Sequence, residues 1–222
     1  MGRKQRWIYF SLGFLFTLFC FCSVSQAANI KDAESATHGE DASGYRVVDV
    51  YEFPGFKLIQ FELPTLSIYS YMLISDGQAL VVDPARDISV FLNRAKEEGS
   101  QIIGVYLTHS HADFVAGHME MKRSVSCPIY QSHKSGVGYP IEALRDGSTI
   151  RVGKATVEFM ETPGHTPDGM CGLVYGSGNP DAPELVLTGD VLFVGSVGRP
   201  DLLGGTVSAA WLASAFFRMV FR

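Results

Sequence analysis

The sequence is short of several things, and each shortage excludes a class. It has four cysteines in 222 residues, too few for a fold stapled by disulfides. Two of them, Cys20 and Cys22, fall in an apolar N-terminal run, leaving Cys127 and Cys171 either to pair or to stay reduced. Positive charge is outnumbered: the formal net charge is −5, and an acidic chain lacks the broad positive field that grips nucleic acid. Only 18% of residues are charged while 46% are hydrophobic, which excludes wholesale disorder, since that needs low hydrophobicity and high net charge. There is no internal repeat and no low-complexity stretch. The length suits one domain, or at most two.

What is present begins with three N-terminal zones. Arg3, Lys4 and Arg6 make a cationic start, Trp7 to Cys22 is an almost unbroken apolar run, and Ser23 to Ala27 is small and polar. That order is expected of a secretory signal peptide over residues 1–27, with cleavage after Ser25-Gln26-Ala27. The apolar run is shorter than the roughly 20 residues of a membrane span; an uncleaved signal anchor is the alternative. A lipid anchor on Cys20 or Cys22 is disfavoured because bulky Phe precedes each. The mature protein is expected to be periplasmic or extracellular, off the membrane once the signal is cleaved. Residues 28–44 have almost nothing to bury and read as a disordered linker, with His38 a solvated residue within it.

From Tyr45 onward, short runs rich in β-branched and aromatic residues alternate with Gly, Pro and Asp. Arg46–Phe53, Lys57–Leu63, Ile68–Ile74 and Ala79–Val82 read as strands, with turns at Pro54-Gly55 and Pro64-Thr65. Ile88, Phe91, Leu92 and Ala95 recur at helical spacing, with Asp87 as N-cap and Gly99 closing the helix. Ile102–Leu107 is a buried-looking strand, Val115–Arg123 a helix and Pro128–Gln131 a short strand. Thr149–Val152, Ala155–Glu161, Cys171–Tyr175 and Leu185–Leu187 are further strands. Strands first, then strands alternating with helices, predict a layered α/β or α+β domain over residues 45–222.

The densest chemistry is Thr108-His109-Ser110-His111-Ala112-Asp113-Phe114, directly after a strand. Neutral imidazole is the commonest protein ligand for mid-row divalent metals, and Asp113 adds a hard oxygen. His-x-His by itself is a weak signal. It gains weight from Thr162-Pro163-Gly164-His165, a histidine on a turn stiffened by Pro and Gly, and from Thr188-Gly189-Asp190, a carboxylate at a strand end. Separate strand ends thus deliver His109 with His111, His165 and Asp190, as a preformed metal site requires.

The set THSHADF, TPGHTPD and TGDVLF resembles the metallo-β-lactamase superfamily. The longer stretches VVDPARD, THSHADFVAGHME and GDVLFVGSVGRPDL are most similar to its glyoxalase II-like persulfide dioxygenases, especially bacterial proteins that join this domain to rhodanese modules. The resemblance covers about Tyr45 to Gly205 and implies a four-layer αββα sandwich with the metal cleft at one edge. It implies one Fe(2+) per chain, held by His109, His165 and Asp190. His111 is implied as a neighbour or extra ligand, Asp113 as the loop aspartate, the two together forming the catalytic pair, and Arg199 as a residue near the glutathione persulfide. A guanidinium suits such a carboxylate-bearing substrate because it donates a planar fork of hydrogen bonds.

Where dinuclear hydrolases of the superfamily have histidine, this chain has Phe114, which cannot bind a metal, so one ion rather than two is expected. Few residues follow Asp190, whereas the relatives continue through further helices, a strand and often a rhodanese domain. Trp211 to Arg222 would form a helix apolar on nearly every side, which expects partners on several faces. The chain is therefore expected to be C-terminally shortened and to lack the rhodanese part. His118 and His133 read as structural, Cys127 and Cys171 as small buried residues, and Tyr69 and Tyr71 as core.

The leading expectation is an iron-dependent sulfur dioxygenase turning a small-molecule persulfide and O2 into sulfite and thiol. One alternative is a Zn(2+) hydrolase of thioesters or β-lactams, with His111 as a full ligand. Another is an inactive metal-binding remnant. Neither a nucleic acid nor a membrane partner is expected, and a homodimer is left open.

Overall fold

The computed structural model describes residues 43–179, 181–204 and 207–220. The expected signal peptide and all of the expected linker except Ser43 and Gly44 lie outside the described residues. Among the described residues no helix is long and apolar enough to cross a membrane.

Strands β1 (Arg46–Phe53), β2 (Phe56–Leu63), β3 (Ile68–Ser75) and β4 (Gln78–Val82) form an antiparallel meander. Helix α1 (Ser89–Glu97) then crosses to β5 (Gln101–Tyr106), and α2 (His118–Val125) crosses to β6 (Ile129–Ser132), both strands parallel to β4. The short β7 (Glu142–Leu144) completes a seven-stranded sheet in the order β1-β2-β3-β4-β5-β6-β7. β1 is a half-exposed edge, whereas β2 and β3 are buried on both faces, as strands covered from two sides must be. A second, antiparallel sheet has the order β11-β10-β9-β8, from β8 (Thr149–Val152), β9 (Ala155–Glu161), β10 (Met170–Tyr175) and β11 (Leu185–Leu187). A ribbon of β12 (Leu192–Phe193) and β13 (Ser196–Val197) and helix α3 (Ala209–Val220) follow.

Two cores hold these layers. Between the sheets, Leu58, Leu73, Leu80 and Tyr106 of the large sheet meet Val152, Val157, Phe159 and Val174 of the small one. The Tyr106 and Phe159 rings pack edge to face with centroids 4.8 Å apart, and the Tyr106 hydroxyl donates across the interface to the Met170 carbonyl (2.7 Å). On the other face of the large sheet, Ile59, Phe61, Met72, Val81 and Val105 pack against Phe91 and Ala95 of α1 and Met121 of α2. The expected sandwich of packed sheets with outer helices is therefore present. α3 buries Leu212 and sets Phe216 against Gly164; its Trp211 and Phe217 stand exposed.

Some local expectations shift. α1 begins one residue beyond Ile88, which makes no side-chain cap bond, and Asp87 serves it from outside by accepting the Ser89 N–H (2.9 Å). α2 starts at His118 rather than Val115, because Ala85 and Ala116 form an isolated bridge that holds the preceding chain extended. β7, β12 and β13 went unexpected, being only two or three residues long with no periodicity to read. Cys127 lies buried in the helix-side core and Cys171 on β10; they form no disulfide with each other.

Candidate metal centre

Sheet direction explains why distant loops converge. β4 and β5 run parallel, so the residues after them, Asp83 and Thr108 to His111, emerge at one edge. β9 and β11 both run antiparallel to the intervening β10, so the turn bearing His165 and the loop bearing Asp190 emerge together as well. One donor atom from each of His109, His165 and Asp190 lies within 4.8 Å of the others. Of these atoms, His165 Nε2 and Asp190 Oδ2 are 3.7 Å apart.

The loop geometry depends on two glycines. Gly189 has φ +48°, and a Cβ there would stand 2.5 Å from Thr108 Oγ1; the missing side chain lets the Asp190 loop lie against the His109 loop. A Cβ on Gly198 would run into the Asp190 carbonyl and approach His165 Cβ to 2.9 Å.

Hydrogen bonds set the tautomers. Thr108 Oγ1–H donates to Asp83 Oδ2 (2.7 Å), so toward His109 Nδ1, 3.0 Å away, the same oxygen can only accept. His109 therefore carries its proton on Nδ1 and keeps the Nε2 lone pair. His165 Nδ1–H donates to the Arg199 carbonyl (3.0 Å), which again leaves Nε2 as the ligand atom. Burial, helped by the neighbouring His111, lowers the His109 pKa to about 4, so the ring stays neutral, the form that binds metal. Asp190 is pushed upward by burial, against the pull of His165, whose Nε2 is 3.7 Å from its carboxylate. Two lone pairs and an oxygen anion converge, a donor set that fits a divalent transition ion.

The other expected site residues separate. His111 is nearly buried and its Nε2 is 2.8 Å from Asp83 Oδ1; its ring lies 4.2 Å from that of His109 but outside the three-donor group. Burial works against its charged form, yet Asp83 raises its pKa overall. Asp83, which burial would push upward, is held below the usual carboxylate range by His111 and by the Thr108 hydrogen bond. Asp113 is exposed and also stands outside the group. Phe114 packs on the His111 ring at 4.4 Å. The Arg199 guanidinium is exposed and engaged by both oxygens of Asp201 (3.1 and 3.0 Å), so its observed service to the centre is through its carbonyl. His118 lies against Tyr139 with the rings tilted and their centroids 4.6 Å apart, and His133 reaches the Leu144 carbonyl (3.2 Å).

Sequence reasoning passed over Asp83 and Asp168, both buried beside the centre. Asp83 follows the buried apolar run Ala79–Val82 of β4, the same strand-end signal that singled out Asp190. Thr108, Thr166, Gly169, Thr188 and Val191 wall the cleft around the donors. Next to it is an open cavity of about 370 Å³ lined by Pro167, Val207, Ser208 and Trp211.

Comparison with known proteins agrees with this layout. The family model described as "Metallo-beta-lactamase superfamily" matches residues 63–220. The probable metallo-hydrolase YqgX of Bacillus subtilis is 33% identical over 156 residues, covering 61% of this chain and 71% of its own. A hydroxyacylglutathione hydrolase of Marinomonas sp. is 33% identical over 144 residues, covering 63% of this chain and 52% of its own; the chain spans about half the length of such hydrolases. The crystal structure of ETHE1 from Myxococcus xanthus superimposes with a TM-score of 0.63 at 27% identity, over 74% of this chain and 69% of that one. Strand-end donors on packed sheets and a family match over most of the described residues lead to one conclusion: this chain belongs to the metallo-β-lactamase superfamily.

Proposed function

We propose that the chain is a mononuclear iron-dependent sulfur dioxygenase that converts a low-molecular-weight persulfide such as glutathione persulfide, with O2 and water, to sulfite and the free thiol. The donor set carries this reading. His109, His165 and Asp190 supply two imidazoles and one carboxylate, the combination that leaves open positions on non-haem Fe(II), and Phe114 stands where a second ion would need histidine. Ferrous iron held by these three residues would supply the open coordination and the redox chemistry that persulfide and O2 need. The chain's residues do the rest. Thr108 and the Arg199 carbonyl orient the two imidazoles. Asp83 anchors His111 through Nε2, leaving Nδ1 to exchange a proton with the leaving thiol, while Asp113 favours the charged ring from a distance. The cavity beside Pro167 and Trp211 gives the thiol carrier room, and Arg199 binds its carboxylate by exchanging Asp201 for it. Export by residues 1–27 would place this chemistry outside the cytoplasm; a reporter fused to that segment and retained inside cells counts against it. The test of activity is anaerobic iron loading followed by O2 uptake with glutathione persulfide. Uptake no greater than that of an Asp190→Ala control rejects the proposal.

A second reading, a zinc-dependent thioester hydrolase, is favoured by the likeness to a hydroxyacylglutathione hydrolase. Zinc activates water at an open position of the same donor set. Stoichiometric zinc without iron, together with cleavage of S-lactoylglutathione, would establish it in place of the first.

A further inference from the structure

One buried carboxylate outside the three-donor group ties together the loops that carry the two histidine donors. Asp168 lies three residues past His165 and is 4% exposed. Its Oδ2 accepts two hydrogen bonds from Ser110, from the backbone N–H at 3.0 Å and from the hydroxyl at 2.7 Å. Ser110 stands between His109 and His111. On the other side of His109, the Thr108 carbonyl accepts the Met170 N–H at 2.9 Å. His109 is therefore flanked by two cross-loop ties, 108 to 170 and 110 to 168, both reaching the segment that bears His165. Two points of attachment fix the rotation of the loop as well as its distance; the backbone tie alone would act as a pivot.

The second tie is braced from the large sheet. Ser110 Oγ accepts from Gln131 Nε2 (3.1 Å), and Gln131 Oε1 accepts the Tyr139 hydroxyl (2.9 Å). Gln131 is fully buried on β6. A line of hydrogen bonds thus runs from one sheet, through the loop of the first histidine, to the turn of the second. A carboxylate withdrawn from water is costly unless hydrogen-bonded, and the two Ser110 donors on Oδ2 meet that need.

We infer that Asp168 is a positioning residue of the metal centre: by holding both donors of Ser110 it sets the spacing of His109 and His165, and with it the affinity for the ion. The inference rests on the metal-centre reading above. The full chain, stripped of metal, is titrated with Zn²⁺ against a chromogenic chelator, and the visible spectrum of the Co²⁺-loaded protein is recorded beside the melting temperature of the metal-free form. Asp168→Ala is expected to weaken zinc binding about 10- to 100-fold, the range for outer partners of metal ligands, and to shift the cobalt bands. Ser110→Ala, which keeps the backbone N–H, should weaken it less, and the double variant should bind no more weakly than Asp168→Ala alone. Zinc affinity within twofold of the parent with an unchanged cobalt spectrum overturns the inference. Should Asp168→Ala fail to fold, Asp168→Asn and Ser110→Ala decide, and parent-like affinity in both overturns it equally. A parent that binds zinc as well without Asp190 as with it removes the metal-centre reading and this inference together. A parent that needs Asp190 but is indifferent to Asp168 removes this inference alone.

Discussion

Gly189→Ala measures how tightly the Asp190 loop is pressed against the His109 loop. Two costs are predicted. The first is backbone strain: φ is +48°, in the left-handed region, where an L side chain costs roughly 1–2 kcal/mol. The second is contact: the new Cβ would stand 2.5 Å from Thr108 Oγ1 and 2.7 Å from Thr108 Cβ, overpacking of a kind that costs about 1–3 kcal/mol. Together they give a loss of about 2–5 kcal/mol. Gly195→Ala isolates the first cost, because Gly195 also has positive φ (+76°) but nothing within 4 Å of its would-be Cβ; about 1–2 kcal/mol is expected there. Urea unfolding of the metal-free variants gives both numbers. Displacing Thr108 also disturbs the oxygen that orients His109, so zinc affinity should fall about 10-fold or more in Gly189→Ala and stay unchanged in Gly195→Ala. Equal losses in the two variants, within about 0.5 kcal/mol, would refute the claimed close approach.

Phe91→Ala, which empties the aromatic cluster with Tyr45 and Phe61 (ring centroids 5.3 and 5.1 Å away), should cost about 3–5 kcal/mol in urea unfolding; a loss below 1 kcal/mol would mean that this core is loosely packed. Tyr106→Phe removes the hydrogen bond between the sheets and should cost about 1 kcal/mol, and an unchanged midpoint would show the bond contributes nothing. Chelation should lower the melting temperature, since free metal at 100 times its Kd contributes about 2.7 kcal/mol; identical melts with and without chelator would count against the metal centre. Elemental analysis should find one ion per chain, rising above one in Phe114→His; two ions in the parent would contradict the role given to Phe114.

The sequence by itself determined the elements that repeat a period and the residues with distinctive chemistry. The long strands are legible because β-branched and aromatic runs of five to eight residues stop, in most cases, at Gly, Pro or Asp, and the helix at Phe91 because its apolar residues recur at helical spacing. The candidate donors His109, His165 and Asp190 are legible because each follows a strand, and strand ends in a layered fold collect at an edge. Boundaries set by tertiary contact were beyond it. Val115 to Gly117 reads as helix until the bridge from Ala85 to Ala116 holds it extended, and two-residue strands exist only through their partners. The sorting of the histidines was also tertiary. His109 and His111 are two residues apart and chemically identical, yet Thr108 turns one toward Asp190 while Asp83 captures the other. Which nitrogen is free depends on acceptors 25 to 34 residues distant in the chain, and only the folded sheets bring those acceptors within 3 Å.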